Sequence, residues 1–201
     1  MTTWQPSLLD GGIPAVGGFD RAIRTELADD AWVELVPGFL DGADALFEAV
    51  LAAAPWAAHE LPMYGQLMPS PRLSARWAAG PHDAALPPVI GEAADALTDR
   101  YGHEFTSVGA NLYRTGTDSV AWHGDRVLRT KPEAVVAVLT LGATRRFRLR
   151  PKGGGASVAF DPAAGDLLVM GGSCQRTWQH SIPKTAKPVG PRISVSFRHA
   201  V

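Results

Sequence analysis

The spacing of apolar residues along the chain changes at about residue 105. Before that point, two segments place apolar side chains three and four residues apart, and this spacing predicts helices over 43–54 and 88–101. The sequence AWVELVPGFL at 31–40 predicts a short strand. Gly and Pro interrupt most of the remainder, which indicates an irregular N-terminal arm and a loop-rich segment over 60–87.

After residue 105, apolar and polar residues alternate, as they do in a half-buried strand. Gly and Pro clusters divide this region into eight candidate strands, at 106–114, 119–124, 134–141, 145–150, 156–160, 166–170, 176–181 and 192–198. Short strands following two helices predict an α+β protein with a double-stranded β-helix (jelly-roll) core, on which the N-terminal helices pack. We divide the single domain into an N-terminal part at 1–104, which contains the arm and the helices, and a core at 105–201.

The composition is that of a folded domain. The chain has 201 residues, of which 46% are apolar and six are Trp. Its one Cys excludes a disulfide scaffold and a multi-cysteine zinc module. No apolar run approaches the ~18 residues of a membrane-spanning helix, and the N-terminal segment does not resemble an export signal. We therefore expect a monomeric, cytosolic protein without membrane contact.

The formal net charge of -1 conceals two oppositely charged halves. Residues 1–110 contain 5 basic and 15 acidic groups, a net charge of -10. Residues 111–201 contain 14 basic and 5 acidic groups, a net charge of +9. Such asymmetry indicates either a polyanionic partner for the basic half or two halves that neutralise one another.

A histidine and a carboxylate close the strand predicted at 119–124. His123 and Asp125 are two residues apart, so on a strand both would point to the same face. Together with one more histidine they would complete a 2-His-1-carboxylate site for non-haem Fe(II). His180, on a later predicted strand, is the candidate for that third ligand. A surface turn or a structural histidine would produce the same short pattern.

Two arginines on the last predicted strand suggest an anionic ligand. Arg192 and Arg198 share the polar face of an alternating segment. Buried guanidinium groups without partners would each cost several kcal/mol, and a dicarboxylate would offer both of them bidentate contacts. Asn111 and Tyr113 share a face of an earlier strand and can donate hydrogen bonds there.

These residues belong to an ordered set of motifs. The pattern N-x-Y-x-x-G-x-D-x-x-x-x-H-x-D runs from Asn111 to Asp125, and LGATRRFRLR, GDLLVMGGSCQRTWQH and PRISVSFR follow it. The set resembles the AlkB family of Fe(II)/2-oxoglutarate-dependent dioxygenases, which repair alkylated nucleic acids. The resemblance is close over 105–198, and 64–77 resembles the nucleotide-lid segment of that family.

The resemblance implies a role for each matching position. The positions that match the iron ligands are His123, Asp125 and His180. Those that match the groups around 2-oxoglutarate are Arg192, Tyr113 and Ser194 at its distal carboxylate, and Arg198 and Asn111 at its metal-chelating carboxylate. The implied cofactors are Fe(II), 2-oxoglutarate and dioxygen. The implied reaction is oxidative dealkylation of N-alkylated bases in DNA or RNA, with release of aldehyde, succinate and CO2.

Substrate contacts are expected from the lid-like segment and from the basic residues after the His-x-Asp motif. The candidates are Tyr64, Arg72, Arg76, Trp77, Arg126 and Arg129. For the two aromatic residues the alternative is core packing, and for the arginines it is a solvated surface. Basic residues continue to Lys152, where they predict a cationic rim or an exposed strand face.

The chain departs from the family pattern where substrate recognition is expected. Arg126-Val127-Leu128-Arg129 replaces the acidic residues expected after His-x-Asp, and the segment after Trp77 is short. Two alternatives to nucleic-acid dealkylation therefore stay open. One is a hydroxylase of a protein or small molecule on the same fold, and the other is a nucleic-acid-binding module with an inactive site.

Overall fold

Two packed antiparallel sheets form most of the fold. The computed structural model describes residues 12–63, 66–125 and 133–199. Its strands are β1 (Ala15–Val16), β2 (Ile23–Glu26), β3 (Ala31–Val36), β4 (Leu40–Asp41), β5 (Ala57–Met63), β6 (Gln66–Arg76), β7 (Ser107–Tyr113), β8 (Val120–His123), β9 (Val136–Gly142), β10 (Phe147–Pro151), β11 (Val158–Phe160), β12 (Leu167–Gly172), β13 (Trp178–Ile182) and β14 (Arg192–Arg198). Its helices are α1 (Ala43–Ala53), α2 (Pro88–Tyr101) and the one-turn α3 (Cys174–Thr177), with a 3₁₀ turn at Gly80–His82.

The strand order is that of a jelly roll. The large sheet has the order β2-β3-β12-β9-β14-β7-β6-β5, and the small sheet has the order β11-β10-β13-β8. The eight strands predicted after residue 105 are all present, and four of them belong to each sheet. Their apolar residues, and the Gly and Pro clusters between them, made these strands predictable. The α+β jelly-roll prediction is thus confirmed.

The large sheet is buried on both faces. One face packs against α1 and α2, which bury Leu46, Phe47, Ile90 and Leu97 in a common core. The opposite face packs against the small sheet and forms a second core. Every residue of β9 is buried as a result, which explains why this strand reads as a continuous apolar run.

The loop-rich segment predicted over 60–87 contains a strand hairpin. β5 and β6 pair with one another, and Leu73–Arg76 of β6 pairs with β7 of the jelly roll. Pro69 and Pro71 lie before the part of β6 that pairs with β7. Their missing backbone N–H groups are tolerated at these positions. At the opposite edge of the same sheet lie β2, from the N-terminal arm, and β3, which is the short strand predicted at 31–40. Strands from both halves of the chain therefore share one sheet.

No helix in the described ranges is long and apolar enough to cross a membrane.

Removal of the Phe47 ring is expected to destabilise the fold through the core between α1 and the large sheet. Phe47 is 1% exposed, and a Cβ placed on Gly142 of β9 would lie 2.9 Å from its ring, so the ring sits against the sheet backbone. We expect Phe47→Ala to lower the free energy of unfolding by about 3–5 kcal/mol, measured by urea denaturation. Glu48→Ala, at an exposed neighbouring position, should change it by no more than about 0.5 kcal/mol. Equal effects would contradict this packing.

Candidate active site

A cavity between the two sheets brings together most of the residues singled out in the sequence. Seven of the eight positions assigned to iron and cosubstrate line it: Asn111, Tyr113, His123, Asp125, His180, Ser194 and Arg198. The eighth, Arg192, lies beside the cavity and contacts Ser194. Strands of both sheets contribute these residues, so the cavity depends on how the sheets pack.

The two histidines face one another across neighbouring strands of the small sheet. His123 on β8 and His180 on β13 are register partners, and their ring centroids are 4.2 Å apart. The ring of Phe147 stacks on His180 with a centroid distance of 5.3 Å. Nδ1 of His123 lies 2.8 Å from the carbonyl oxygen of Ala121; a proton donated there leaves the Nε2 lone pair directed elsewhere.

Burial keeps both imidazoles neutral. It is the main cause that lowers the pKa of His123, and Arg72 adds to the effect. The pKa of His180 is lowered well below its usual value, first by burial and then by the proximity of His123. Neutral imidazoles are the form in which histidine binds a metal ion.

Asp125 is held outside the strand on which it was expected. β8 ends at His123, so Asp125 lies just beyond the strand. Its backbone N–H donates to Oε1 of Gln175 at 2.9 Å, and its Oδ2 accepts from Nε of Arg198 at 2.6 Å. Within the described ranges, no three His, Cys, Asp or Glu side chains are grouped closely enough to hold a metal ion as they stand. The Asp125 carboxylate shares the cavity with the imidazole pair but bonds to Arg198.

Arg192 is a fully buried cation surrounded by neutral acceptors. Its exposed fraction is 0%, and burial lowers its pKa to about 10. Nε donates to Oγ of Ser194 at 3.1 Å, Nη2 to Oγ1 of Thr140 at 3.0 Å, and Nη1 to the carbonyl of Pro162 at 3.4 Å. No carboxylate among the described residues is within ion-pair distance. Such a group is stabilised strongly by an anion that enters the cavity.

Tyr113 lies next to Arg192 and provides a second donor. The two residues are register partners on β7 and β14. Burial raises the pKa of Tyr113, so its hydroxyl stays protonated. A buried phenol and a buried guanidinium side by side form a site suited to a carboxylate.

Arg72 was expected to contact the substrate, but it lies deeper in the site. Its Nε donates to Oδ1 of Asn111 at 3.0 Å, and Oγ of Ser74 donates to the same oxygen at 3.1 Å. Arg72, Ser74 and Arg76 occupy one face of β6, as the alternation in PRLSAR indicates. That alternation was the sequence signal for the shared face, and the pairing of Ser74 with Asn111 places this face beside Asn111.

An open cleft of about 520 Å³ adjoins the cavity. Arg72, Arg76 and His59 line it, and it reaches His123 and Asp125. Arg76 and His59 are exposed. The cleft is therefore the route by which a substrate would reach the imidazole pair. Tyr64, Arg126 and Arg129 lie outside the described residues.

The proposed stacking role of Trp77 is wrong. Its side chain is 8% exposed and packs in the core between the large sheet and the helices. It continues the β6 alternation on the face opposite Arg72 and Arg76, so the ring points away from the cleft. The alternative of core packing applies to this residue.

The basic segment 145–152 is divided by the structure. Arg145 is buried and donates to the carbonyl oxygens of Thr115, Asp118 and Pro183. Arg146 is exposed and paired with Asp161 at 2.8 Å. These two arginines therefore have structural partners.

Arg148 and Arg150 lie over a tryptophan instead. Their guanidinium carbons are 5.8 and 4.3 Å from the ring centroid of Trp122, which is half-buried next to His123 in sequence. Each also donates to a neutral side chain, Ser157 and Gln179 respectively. In the described part of the chain neither has a carboxylate partner.

The lone thiol is inert. Cys174 is 2% exposed, and burial raises its pKa to about 12. It packs in the core between the sheets, as expected of a small apolar residue.

The chain is similar to known oxygenases over most of its length. The sequence model that describes the 2OG-Fe(II) oxygenase superfamily matches residues 33–198 of this chain. The alpha-ketoglutarate-dependent dioxygenase alkB homolog 3 of Bos taurus is 32% identical over 184 residues, which cover 82% of this chain and 64% of the relative. The DNA oxidative demethylase ALKBH2 of Homo sapiens is 30% identical over 119 residues, covering 55% of this chain and 46% of the relative. The chain thus spans less than two thirds of the length of these relatives.

A solved structure shares the fold at low sequence identity. A prolyl hydroxylase from Trichoplax adhaerens, in complex with a peptide fragment of hypoxia inducible factor, superposes with a TM-score of 0.59 at 13% identity. The match covers 83% of this chain and 82% of the other.

Without ligands, Arg192 is expected to contribute little to stability. Two of its acceptors are hydroxyls, which can rotate to other partners, and its one carbonyl contact is 3.4 Å long, so Arg192→Met should leave the free energy of unfolding unchanged or raise it by about 1–4 kcal/mol. Arg145→Met is the matched control: it deprives three carbonyl oxygens of a donor, each worth about 1–3 kcal/mol, and should destabilise. Urea denaturation of both variants tests this contrast, and equal destabilisation would contradict the weaker contribution of the Arg192 hydrogen bonds.

Proposed function

Because the chain belongs to the 2OG-Fe(II) oxygenase superfamily, and its likeness to the AlkB family extends over most of its length, we propose that it dealkylates nucleic-acid bases oxidatively. The cofactors of that superfamily are Fe(II) and 2-oxoglutarate, with dioxygen as the oxidant. The substrates would be N-alkylated bases in DNA or RNA. The products would be the unmodified base, an aldehyde, succinate and CO2.

The buried Arg192 is the observation that carries this proposal. The Arg192 guanidinium has no carboxylate of the described residues within ion-pair distance. It lies next to a cavity that contains two neutral imidazoles and a carboxylate. A dicarboxylate cosubstrate would bind to both parts of this site. One carboxylate can accept hydrogen bonds from Arg192, Tyr113 and Ser194, while the other end reaches the imidazole pair. Arg198 and Asn111 would contact that other end.

The chemistry of the donor set fits iron. His123 and His180 would each offer a neutral nitrogen, and Asp125 would offer Oδ1, which accepts no hydrogen bond from the described residues. When bound there, Fe(II) and 2-oxoglutarate would supply the oxidation of the alkyl carbon on the base. The protein's own part is to position the groups and to limit water, with Phe147 covering one face of His180.

The cleft beside the cavity suits an extruded nucleotide. A base must leave its stack to reach the imidazole pair, at a cost of a few kcal/mol that is smallest where the lesion already prevents pairing. Arg76 would contact the base or a phosphate at the exposed rim of the cleft. Arg72 would act deeper, next to Asn111. Tyr64, Arg126 and Arg129 stay predicted contacts.

A demethylation assay tests the proposed reaction. With Fe(II), 2-oxoglutarate and oxygen, we expect formaldehyde and succinate from single- or double-stranded oligonucleotides that contain 1-methyladenine or 3-methylcytosine. Asp125→Ala should reduce both products to background because it removes the carboxylate ligand. No product from any of the four substrates would contradict the proposal. Succinate formed without dependence on nucleic acid would indicate a hydroxylase of a protein or small molecule.

Salt dependence tests whether Arg148 and Arg150 meet substrate phosphates. Each variant, Arg148→Ala or Arg150→Ala, should weaken binding of a single-stranded oligonucleotide and reduce the slope of log affinity against log salt by about 1. Arg146→Ala removes the same charge from the adjoining position, but this arginine is already paired with Asp161, so a smaller change in slope is expected. Fluorescence anisotropy over a salt series distinguishes the three. Identical slopes for all variants and the wild type would place the phosphates elsewhere.

A further inference from the structure

The one-turn helix α3 packs directly on the main chain between the two predicted ligands His123 and Asp125. A Cβ added to Gly124 would lie 3.1 Å from the carbonyl oxygen of Gln175 and 3.3 Å from that of Trp178. Contacts of this length are tighter than most real Cβ contacts, so a side chain at this position would require the two carbonyl groups to shift by a few tenths of an ångström. The glycine in His-Gly-Asp therefore allows the close approach of α3 to the segment that carries Asp125.

Among the described residues, the Gln175 side chain makes one strong hydrogen bond, to the backbone of Asp125. The side chain is 1% exposed. Its Oε1 accepts the backbone N–H of Asp125 at 2.9 Å, across 50 residues of sequence. Among the described residues its Nε2 meets only the sulfur of Met170, at 3.9 Å, which is a weak acceptor.

Among the described residues, no strand pairing extends to Asp125, and other contacts hold it in place. β8 ends at His123, and its register with β13 is given by His180↔His123 and Ile182↔Val120. Neighbouring strands thus fix the two histidines, whereas Asp125 is fixed by a hydrogen bond to its backbone and an ion pair to its carboxylate. The same helix leads directly into β13 and His180, so α3 adjoins the segments of all three predicted ligands.

We propose that Gln175 is a positioning residue for a divalent cation at His123, Asp125 and His180. It fixes the backbone of Asp125 so that the carboxylate stays beside the imidazole pair. The inference rests on the proposed assignment of these three residues as metal ligands. Hydrogen-bond partners that orient metal ligands typically contribute about 10–100-fold to metal affinity.

The test is Mn²⁺ binding to the metal-free protein, measured by electron paramagnetic resonance of the free ion, together with thermal unfolding. Gln175→Met keeps the length and apolar volume of the side chain and removes the acceptor. We expect Mn²⁺ affinity to fall about 10–100-fold. Gln175→Glu keeps an acceptor oxygen at the same distance along the side chain and should bind Mn²⁺ more tightly than Gln175→Met.

Cys174→Ala is the matched control. It shortens a buried side chain on the same helix that makes no hydrogen bond to Asp125 among the described residues. It should lower Tm and leave Mn²⁺ affinity as in the wild type. Wild-type affinity in Gln175→Met, or an equal loss of affinity in Cys174→Ala, would overturn the positioning role. Absence of Mn²⁺ binding by the wild type would instead overturn the ligand assignment, and the inference with it.

Discussion

The free-energy cost of burying the Arg192 guanidinium constrains the structure around it. β14 pairs with both β7 and β9 and so lies in the interior of the large sheet, where no water can solvate a charge. The neighbouring strands supply what the charge requires: Thr140 from β9, Ser194 from β14 itself and Tyr113 from β7. These partners reduce the cost of burial without cancelling the charge, which leaves the site selective for an anion.

β14 contributes residues to the main core on one face and to the site on the other. Ile193, Val195 and Phe197 face the helices and belong to the main core, while Arg192 and Ser194 belong to the opposite face. A shift of register by one residue would exchange these two sets and place a charge in the helix-facing core. The hydrophobic packing of α1 and α2 thereby fixes where the arginines of the site lie. At the far end of β14, Arg198 reaches Asp125 and links the anion site to the segment after β8.

Sequence alone predicted the parts of the molecule in which one face is buried and the other is not. Both longer helices are of this kind, and so are strands such as β7 and β10, in which buried and less buried residues alternate. Thr140 could not be recognised, because β9 is buried on both faces and its one hydroxyl stands in an apolar run without alternation. Gln175 lies in a segment predicted to lead into a strand, and its role depends on a segment 50 residues away. The parity of β6 was readable in PRLSARW and would have placed Trp77 in the core.

The ion pairs between described residues do not join the two oppositely charged halves. Each of them links partners from the same half: Arg24–Glu26, His82–Asp95 and Arg100–Glu34 in the acidic half, and Arg114–Asp118, Arg146–Asp161 and Arg198–Asp125 in the basic half.

The basic half uses its charges in three different ways. Arg145 and Arg192 are turned inward, and Arg114, Arg146 and Arg198 are paired. Arg148 and Arg150 are neither buried nor paired with a carboxylate of the described residues, and they lie over the tryptophan that precedes His123. Because Coulomb attraction between exposed groups is screened within about 10 Å at 0.1 M salt, a polyanion would respond to these local cations and not to the net charge of the chain. The near-zero net charge therefore does not argue against a nucleic-acid substrate.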